Sequence, residues 1–265
     1  MDLGLKGRRA LVTGASSGLG AAAALALARE GVQLILNSRN EEKLKHSAQK
    51  IESETRHCPV LLPADLSSES QLRMLIDKVL RESSKVPVDI VVINGGGPPP
   101  GDVRDHANDR WTESYNLVLQ PAIRLTRALL DGMVERKWGR LIFITSASVL
   151  QPVNELILSN TFRAGVTAFA KTISNNYAKH GITVNCVCPG YTATERLQSL
   201  AKSRSEKSGC SVEEELEKFT TLSPAGRIGQ PDELASLITY LASERAGFIT
   251  GTSIPVDGGR NGALI

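Results

Sequence analysis

Short, mostly apolar runs alternate along this chain with longer stretches in which apolar residues recur every three or four positions. The apolar runs fall at Ala10–Val12, Val32–Leu36, Val60–Leu62, Ile90–Ile93, Leu141–Ile144, Thr183–Val187 and Ser253–Val256. Between them lie helical patterns at Glu41–Glu54, Ser68–Arg81, Trp111–Glu135 and Thr161–Lys179. Strands that are apolar on both sides are covered on both faces, and strands separated by helices run parallel through right-handed crossovers. The pattern predicts an α/β fold: one doubly wound parallel sheet of about seven strands with helices on both faces. No repeat, low-complexity tract or linker divides residues 1–265, so one domain is expected.

One stretch breaks the rhythm. Thr192–Ile228 carries a helical pattern at Ala193–Lys207, a Ser208-Gly209 break, and a second pattern at Ser211–Phe219 that opens with a capping serine ahead of Glu213 and Glu214. Two short helices outside the sheet, set just before the last βα unit, predict a lid over a substrate cleft at 192–228. Arg196, Lys202, Arg204 and Lys207 make its first half basic, which could meet an anionic substrate handle, although a solvated helix face is the favoured expectation.

Composition narrows the function classes. Hydrophobic residues make up 41% of the chain and charged ones 22%, as in ordinary globular proteins. A net charge of +3, scattered along the sequence, gives no footprint for nucleic acid. The N-terminal residues lack the layout of a signal peptide, and no apolar run is long enough to span a bilayer, so a cytoplasmic protein is expected. Cys58, Cys186, Cys188 and Cys210 show no paired metal spacing; Cys186 and Cys188 alternate in a strand and are expected in the core. No metal site is expected.

The chemistry is concentrated where the first apolar run meets the first helix. Ala10-Leu-Val-Thr-Gly-Ala-Ser-Ser-Gly-Leu-Gly20 ends a strand in a glycine-rich turn, and Ala21–Ala28 is strongly helical. Gly14 permits the tight turn, Gly18 lets backbone approach a pyrophosphate, and Gly20 lets the helix sit close on the sheet. The helix start offers unpaired N–H groups and a positive dipole end to the anion.

Other segments join this turn in a resemblance. Thr13 to Gly20, Asp65-Leu66 after the third strand, Asn94-Gly95-Gly96 after the fourth, Pro189-Gly190-Tyr191-Thr192-Ala193-Thr194 after the sixth, and the tail from Arg227 to Gly259 fall in order at strand ends. Over nearly its full length the chain resembles the short-chain dehydrogenases/reductases. The resemblance implies cofactor contacts from Gly14, Ser16, Ser17, Gly18, Leu19 and Gly20 at the pyrophosphate turn, and from Asp65 and Leu66 at the adenine. It further implies contacts from Asn94, Gly95 and Gly96, and from Pro189, Gly190, Thr192 and Thr194 around the nicotinamide and pyrophosphate. After the second strand, where an NAD site usually has an acid, this chain has Asn37-Ser38-Arg39-Asn40. Arg39 can pair with a 2′-phosphate and Ser38 can add a hydroxyl, which favours NADP(H) over NAD(H).

The chain departs from that family where the chemistry should be. The family's Asn, Ser, Tyr and Lys are represented by Asn116 and Ser146, but alignment from either side places Ser159 at the Tyr position and Arg163 at the Lys position. A serine hydroxyl is a far weaker acid than a phenol, and an arginine stays protonated, so it stabilises negative charge without donating its proton. Arg163 still has the helical spacing to grip the nicotinamide ribose. Three readings stay open: a reductase whose proton comes from water held by Asn116, Ser146 and Ser159, or from Tyr191 beside the nicotinamide; an NADP(H)-binding, catalytically silent protein acting as a sensor or assembly subunit; or different chemistry on a substrate with its own acid. Tyr115 is a weaker donor, since its helix neighbour Asn116 takes the inward direction. The Ser-x-x-x-Arg spacing and the Asn94–Gly101 run resemble a 3-oxoacyl-carrier-protein-reductase-like branch, which implies a carbonyl/alcohol substrate. The long helices carry surplus apolar residues, including Leu117, Leu119, Ile123, Val166, Phe169 and Ile173, and relatives use these helices to build closed two-fold tetramers.

Overall fold

A computed structural model describes residues 1–263. Seven strands, β1 (Arg9–Thr13), β2 (Gln33–Asn37), β3 (Val60–Leu61), β4 (Ile90–Asn94), β5 (Gly139–Ile144), β6 (Ile182–Pro189) and β7 (Ser253–Val256), form one sheet in the order β3-β2-β1-β4-β5-β6-β7. All neighbouring pairs are parallel. The order reverses between β1 and β4, and in such a sheet the crevice outside the strand C-termini at the reversal is where ligands bind.

Two apolar layers hold the helices to the sheet. On one face α1 (Gly18–Arg29), α2 (Glu41–Thr55) and α8 (Pro231–Ala242) bury Leu27, Leu44, Ile51, Leu234 and Ile238 against Val12, Leu36 and Val92. On the other face α3 (Glu69–Ser83), α4 (Asn108–Arg136) and α5 (Ile157–Tyr177) bury Leu72, Leu75, Leu125, Leu129 and Val166 against Leu11, Val91 and Phe143. Alternate strand residues feed opposite layers, which is why these strands are apolar throughout. Cys186 and Cys188 lie in the second layer, and burial pushes the Cys186 thiol up to about 12.

The third cluster lies off the sheet. Here α6 (Glu195–Ser208) and α7 (Val212–Thr221) enclose Leu197, Leu200, Ala201 and Phe219. The excursion they form is tied at its base, where Gly229 N donates to Tyr191 O at 3.0 Å and Ala193 N donates to Gly229 O at 2.9 Å.

α5 begins four residues before the Thr161 start that the apolar pattern indicates. Its N-cap, Leu156, has no capping side chain, so nothing local marks the start. Non-local bonds fix it instead: Gly101 N donates to Glu155 O at 2.7 Å, and Asn160 Nδ2 donates to Val153 O at 2.8 Å. The earlier start puts Ser159 inside the helix, one turn before Arg163.

Candidate active site

The strand C-termini open into a cleft of about 550 Å³ that runs from Arg39 to α6. At its first end the wall is mostly main chain. Gly14 and Gly18 have φ of +59° and +55°, a region that disfavours side chains. A Cβ on Gly20 would lie 2.2 Å from Gly14 O, so α1 can pack on the turn only with glycine there. Gly20 is buried and shapes the turn from behind, whereas Gly14, Ser16, Ser17, Gly18 and Leu19 face the cleft.

The start of α1 suits an anion. N-terminal N–H groups of α2, α3, α6 and α7 donate hydrogen bonds to the Asn40, Ser68, Thr194 and Ser211 side chains. The N-cap of α1, Ser17, makes no such bond, and the first turn holds no acid. Its N–H groups and dipole end therefore face the cleft, as a pyrophosphate requires. Thr194 closes the opposite side, with Cγ2 3.3 Å from where a Gly18 Cβ would sit. The residues present thus fit a dinucleotide.

Beyond the turn, Ser38 donates to Ser16 Oγ at 2.7 Å, and Arg39 is exposed beside it. Asp65, Leu66, Asn94, Gly95, Gly96, Pro189, Gly190 and Thr192 all line the cleft. Asp65 accepts from Ser67 N at 2.9 Å and Ser67 Oγ at 2.7 Å, fixing the bend after β3.

The other end is made by side chains. Ser146, after β5, accepts from Ser148 N at 3.1 Å. Ser159 and Arg163 are 6% and 9% exposed, and both face the cleft. Arg163 donates from Nε to Ser159 Oγ at 3.2 Å, from Nη1 to Ile144 O at 2.9 Å and from Nη2 to Gly96 O at 3.2 Å. The guanidinium thus ties α5 to β5 and to the loop after β4. Burial, then the Arg196 charge, lower its pKa to about 10, so it remains a cation at neutral pH. Because Ser159 accepts from Arg163, its own proton is left to point elsewhere, and the adjacent positive charge favours donation.

Asn116 and Tyr191, also expected at this end, differ in their placement. Asn116 does not line the cleft; the α4 residue that does is its neighbour Leu117. Pro121 explains what replaces it: with no N–H at residue 121, the Leu117 carbonyl four residues earlier loses its helical donor. That carbonyl lies 3.0 Å from where a Gly95 Cβ would sit, at the cleft wall. Tyr191 borders the cleft, but its hydroxyl is buried and has no hydrogen-bond partner among the described residues. The ring stacks on Phe219 of α7 with centroids 4.3 Å apart and lies under the Arg260 guanidinium, 4.4 Å from the ring centroid.

The basic residues of α6 also divide. Lys202 and Lys207 are exposed, as a solvated face requires. Arg196 and Arg204 instead line the cleft. Arg196 Nη2 donates to Pro98 O at 2.6 Å, and Arg204 pairs with Glu155. The sequence held a signal for Arg196 that hydropathy does not register: it sits in the first turn of α6, where the helix dipole disfavours a cation. Ser148 and Arg260 line the cleft without any motif to announce them. Among the described residues no group of His, Cys, Asp and Glu could hold a metal ion, and no helix is long and apolar enough to cross a membrane.

Fold and cleft together define a dinucleotide-binding α/β protein of the oxidoreductase class. The family model described as enoyl-(acyl carrier protein) reductase matches residues 14–261. An uncharacterised oxidoreductase, YvaG of Bacillus subtilis, is 32% identical over 98% of both chains. A putative ketoacyl reductase of Streptomyces coelicolor is 32% identical over 94% of this chain and 95% of its own. The crystal structure of L-sorbose reductase from Gluconobacter frateurii, complexed with NADPH and L-sorbose, superposes with a TM-score of 0.92 at 29% identity over all of both chains. This chain belongs to the short-chain dehydrogenase/reductase family.

Proposed function

We propose that the protein is an NADP(H)-dependent reductase of a carbonyl substrate, a 3-oxoacyl thioester being one candidate, working with Ser159 and Arg163 in place of the family's tyrosine and lysine. The observation that carries this reading is the convergence of Ser146, Ser159 and Arg163 on one end of a cleft whose other end suits a dinucleotide. NADPH, when bound, supplies the hydride. The hydroxyls of Ser146 and Ser159 hydrogen-bond the carbonyl oxygen, and the Arg163 charge, relayed through Ser159 Oγ, favours the alkoxide that forms there. The proton comes from water ordered between Ser159 and the freed Leu117 carbonyl, taking the place first given to Asn116. Arg39 and Ser38 select the 2′-phosphate, residues 192–228 form the lid, and α4 and α5 build a homotetramer in the cytoplasm. Aromatic contacts Trp111–Phe162 and Tyr115–Phe162 between α4 and α5, with Tyr115 exposed, support that interface.

A second reading has its own support. Three of the five guanidinium N–H groups of Arg163 serve Ser159 and two backbone carbonyls, which suits a purely architectural arginine in a silent cofactor-binding protein. NADPH consumption across a carbonyl panel separates the two. In the reductase reading wild type turns over, and Arg163→Ala loses about a hundred- to thousand-fold in rate. Activity confined to the Ser159→Tyr/Arg163→Lys variant would establish the silent reading.

A further inference from the structure

Arginine crowds one end of the cleft, and most of the other charges there are accounted for. Five arginines line it: Arg39, Arg163, Arg196, Arg204 and Arg260. Arg39 lies at the ribose end, and Arg204 is neutralised by Glu155. Of the lining acids, Asp65 is engaged by Ser67 and Glu195 by Lys43 at 2.7 Å. Arg163, Arg196 and Arg260 remain, with no carboxylate in salt-bridge reach among the described residues; Arg260 lies over the Tyr191 ring, 4.4 Å from its centroid, and the polar partners of the other two are hydroxyl and carbonyl oxygens.

These two cations are held together by construction. Arg163 Nη2 bonds Gly96 O and Arg196 Nη2 bonds Pro98 O, two positions apart on one stiff Gly-Pro loop. A Cβ at Gly97 would lie 2.5 Å from Arg196 Nε, so only glycine there lets the guanidinium reach its place. Arg196 is exposed, but what it faces is the open volume of the cleft. Its position in the first turn of α6 sets it against the helix dipole, and its charge depresses the pKa of Arg163. Two like charges fixed side by side against both effects form a site completed by an anion.

We infer that the substrate is an oxo acid, whose carboxylate is held by Arg196 with Arg163 behind it while its carbonyl meets Ser146 and Ser159. A planar carboxylate suits the guanidinium fork, and the free N–H groups of Arg196 are its donors. The carbonyl half of this inference rests on the reductase reading, whereas the anion half rests on the charges alone. The other anion that could reach these arginines is the cofactor's own pyrophosphate, and the experiment separates the two.

The test measures binding by calorimetry to protein loaded with NADP⁺, which cannot reduce the probe. Pyruvate, acetoacetate and levulinate are each compared with their methyl esters. At least one acid should bind about tenfold more tightly than its ester, a difference of the size of a charge-assisted contact. Arg196→Ala should erase that preference, Arg196→Lys should keep part of it, and NADPH affinity should change less than about threefold in both. No acid preference in wild type, or a preference untouched by Arg196→Ala, overturns the inference. So does a tenfold loss of NADPH affinity in Arg196→Ala, which would give the arginine to the cofactor. Acid preference without turnover would refute the reductase reading and leave the carboxylate site standing; turnover without acid preference would do the reverse.

Discussion

At the Gly14–Gly20 end of the cleft the wall is main chain placed by glycine, whereas at the Ser159–Arg163 end it is side chains held by contacts from β5, the Gly-Pro loop, α5 and α6. The first end is specified within seven successive residues: positive φ at Gly14 and Gly18, close packing at Gly20, and an α1 terminus left uncapped. The second depends on segments far apart in sequence, so one substitution there can change the chemistry while leaving the fold intact. A fold of this kind can keep a cofactor turn intact while the side chains at the other end vary.

The comparison predicts different failures at the two ends. Gly18→Val is the most severe. Its side chain would point at Thr194 from a strained φ of +55° and fill the pyrophosphate path, so NADPH binding should fall at least about a hundredfold while circular dichroism stays native. A folded variant with wild-type affinity would show that the turn is not the phosphate site. Arg39→Ala comes next. Loss of a charge-assisted contact at this exposed position should weaken NADPH by roughly tenfold and leave NADH unchanged, as read by fluorescence titration. Equal wild-type affinities for the two cofactors would remove Arg39 from the account. Tyr191→Phe should do least. Its hydroxyl is buried without a partner, so removal should alter turnover by less than about twofold and leave the melting temperature unchanged or higher. A large loss of rate would return the phenol to the reacting volume.

The same contrast governs what the sequence discloses. Apolar runs located all seven strands because a doubly covered parallel sheet writes itself as continuous hydrophobicity. The start of α7 is legible because Ser211 caps it by a local side-chain bond. The start of α5 was hidden, since bonds from Gly101 and Asn160 to the preceding loop fix it rather than any cap. Asn116 is expected from its residue type, whereas the α4 residue that lines the cleft is Leu117, whose carbonyl lacks a helical donor because residue 121 is proline. The basic residues of α6 read as a solvated face or as an anionic-substrate handle without distinction between them; the placement of the Gly97–Pro98 loop beside α6 is what sets Arg196 at the cleft and apart from Lys202 and Lys207.

The central claim is that Ser159 and Arg163 support hydride transfer in the absence of the family's tyrosine. A single-turnover experiment with NADPH dideuterated at the nicotinamide C4 tests it most directly, following cofactor absorbance in stopped flow and deuterium in the product by mass spectrometry. Wild type should place deuterium on the former carbonyl carbon, with a rate about a hundred- to thousand-fold above that of Arg163→Ala. Wild-type protein that binds the cofactor yet transfers no deuterium to any carbonyl, oxo acids included, would contradict the claim.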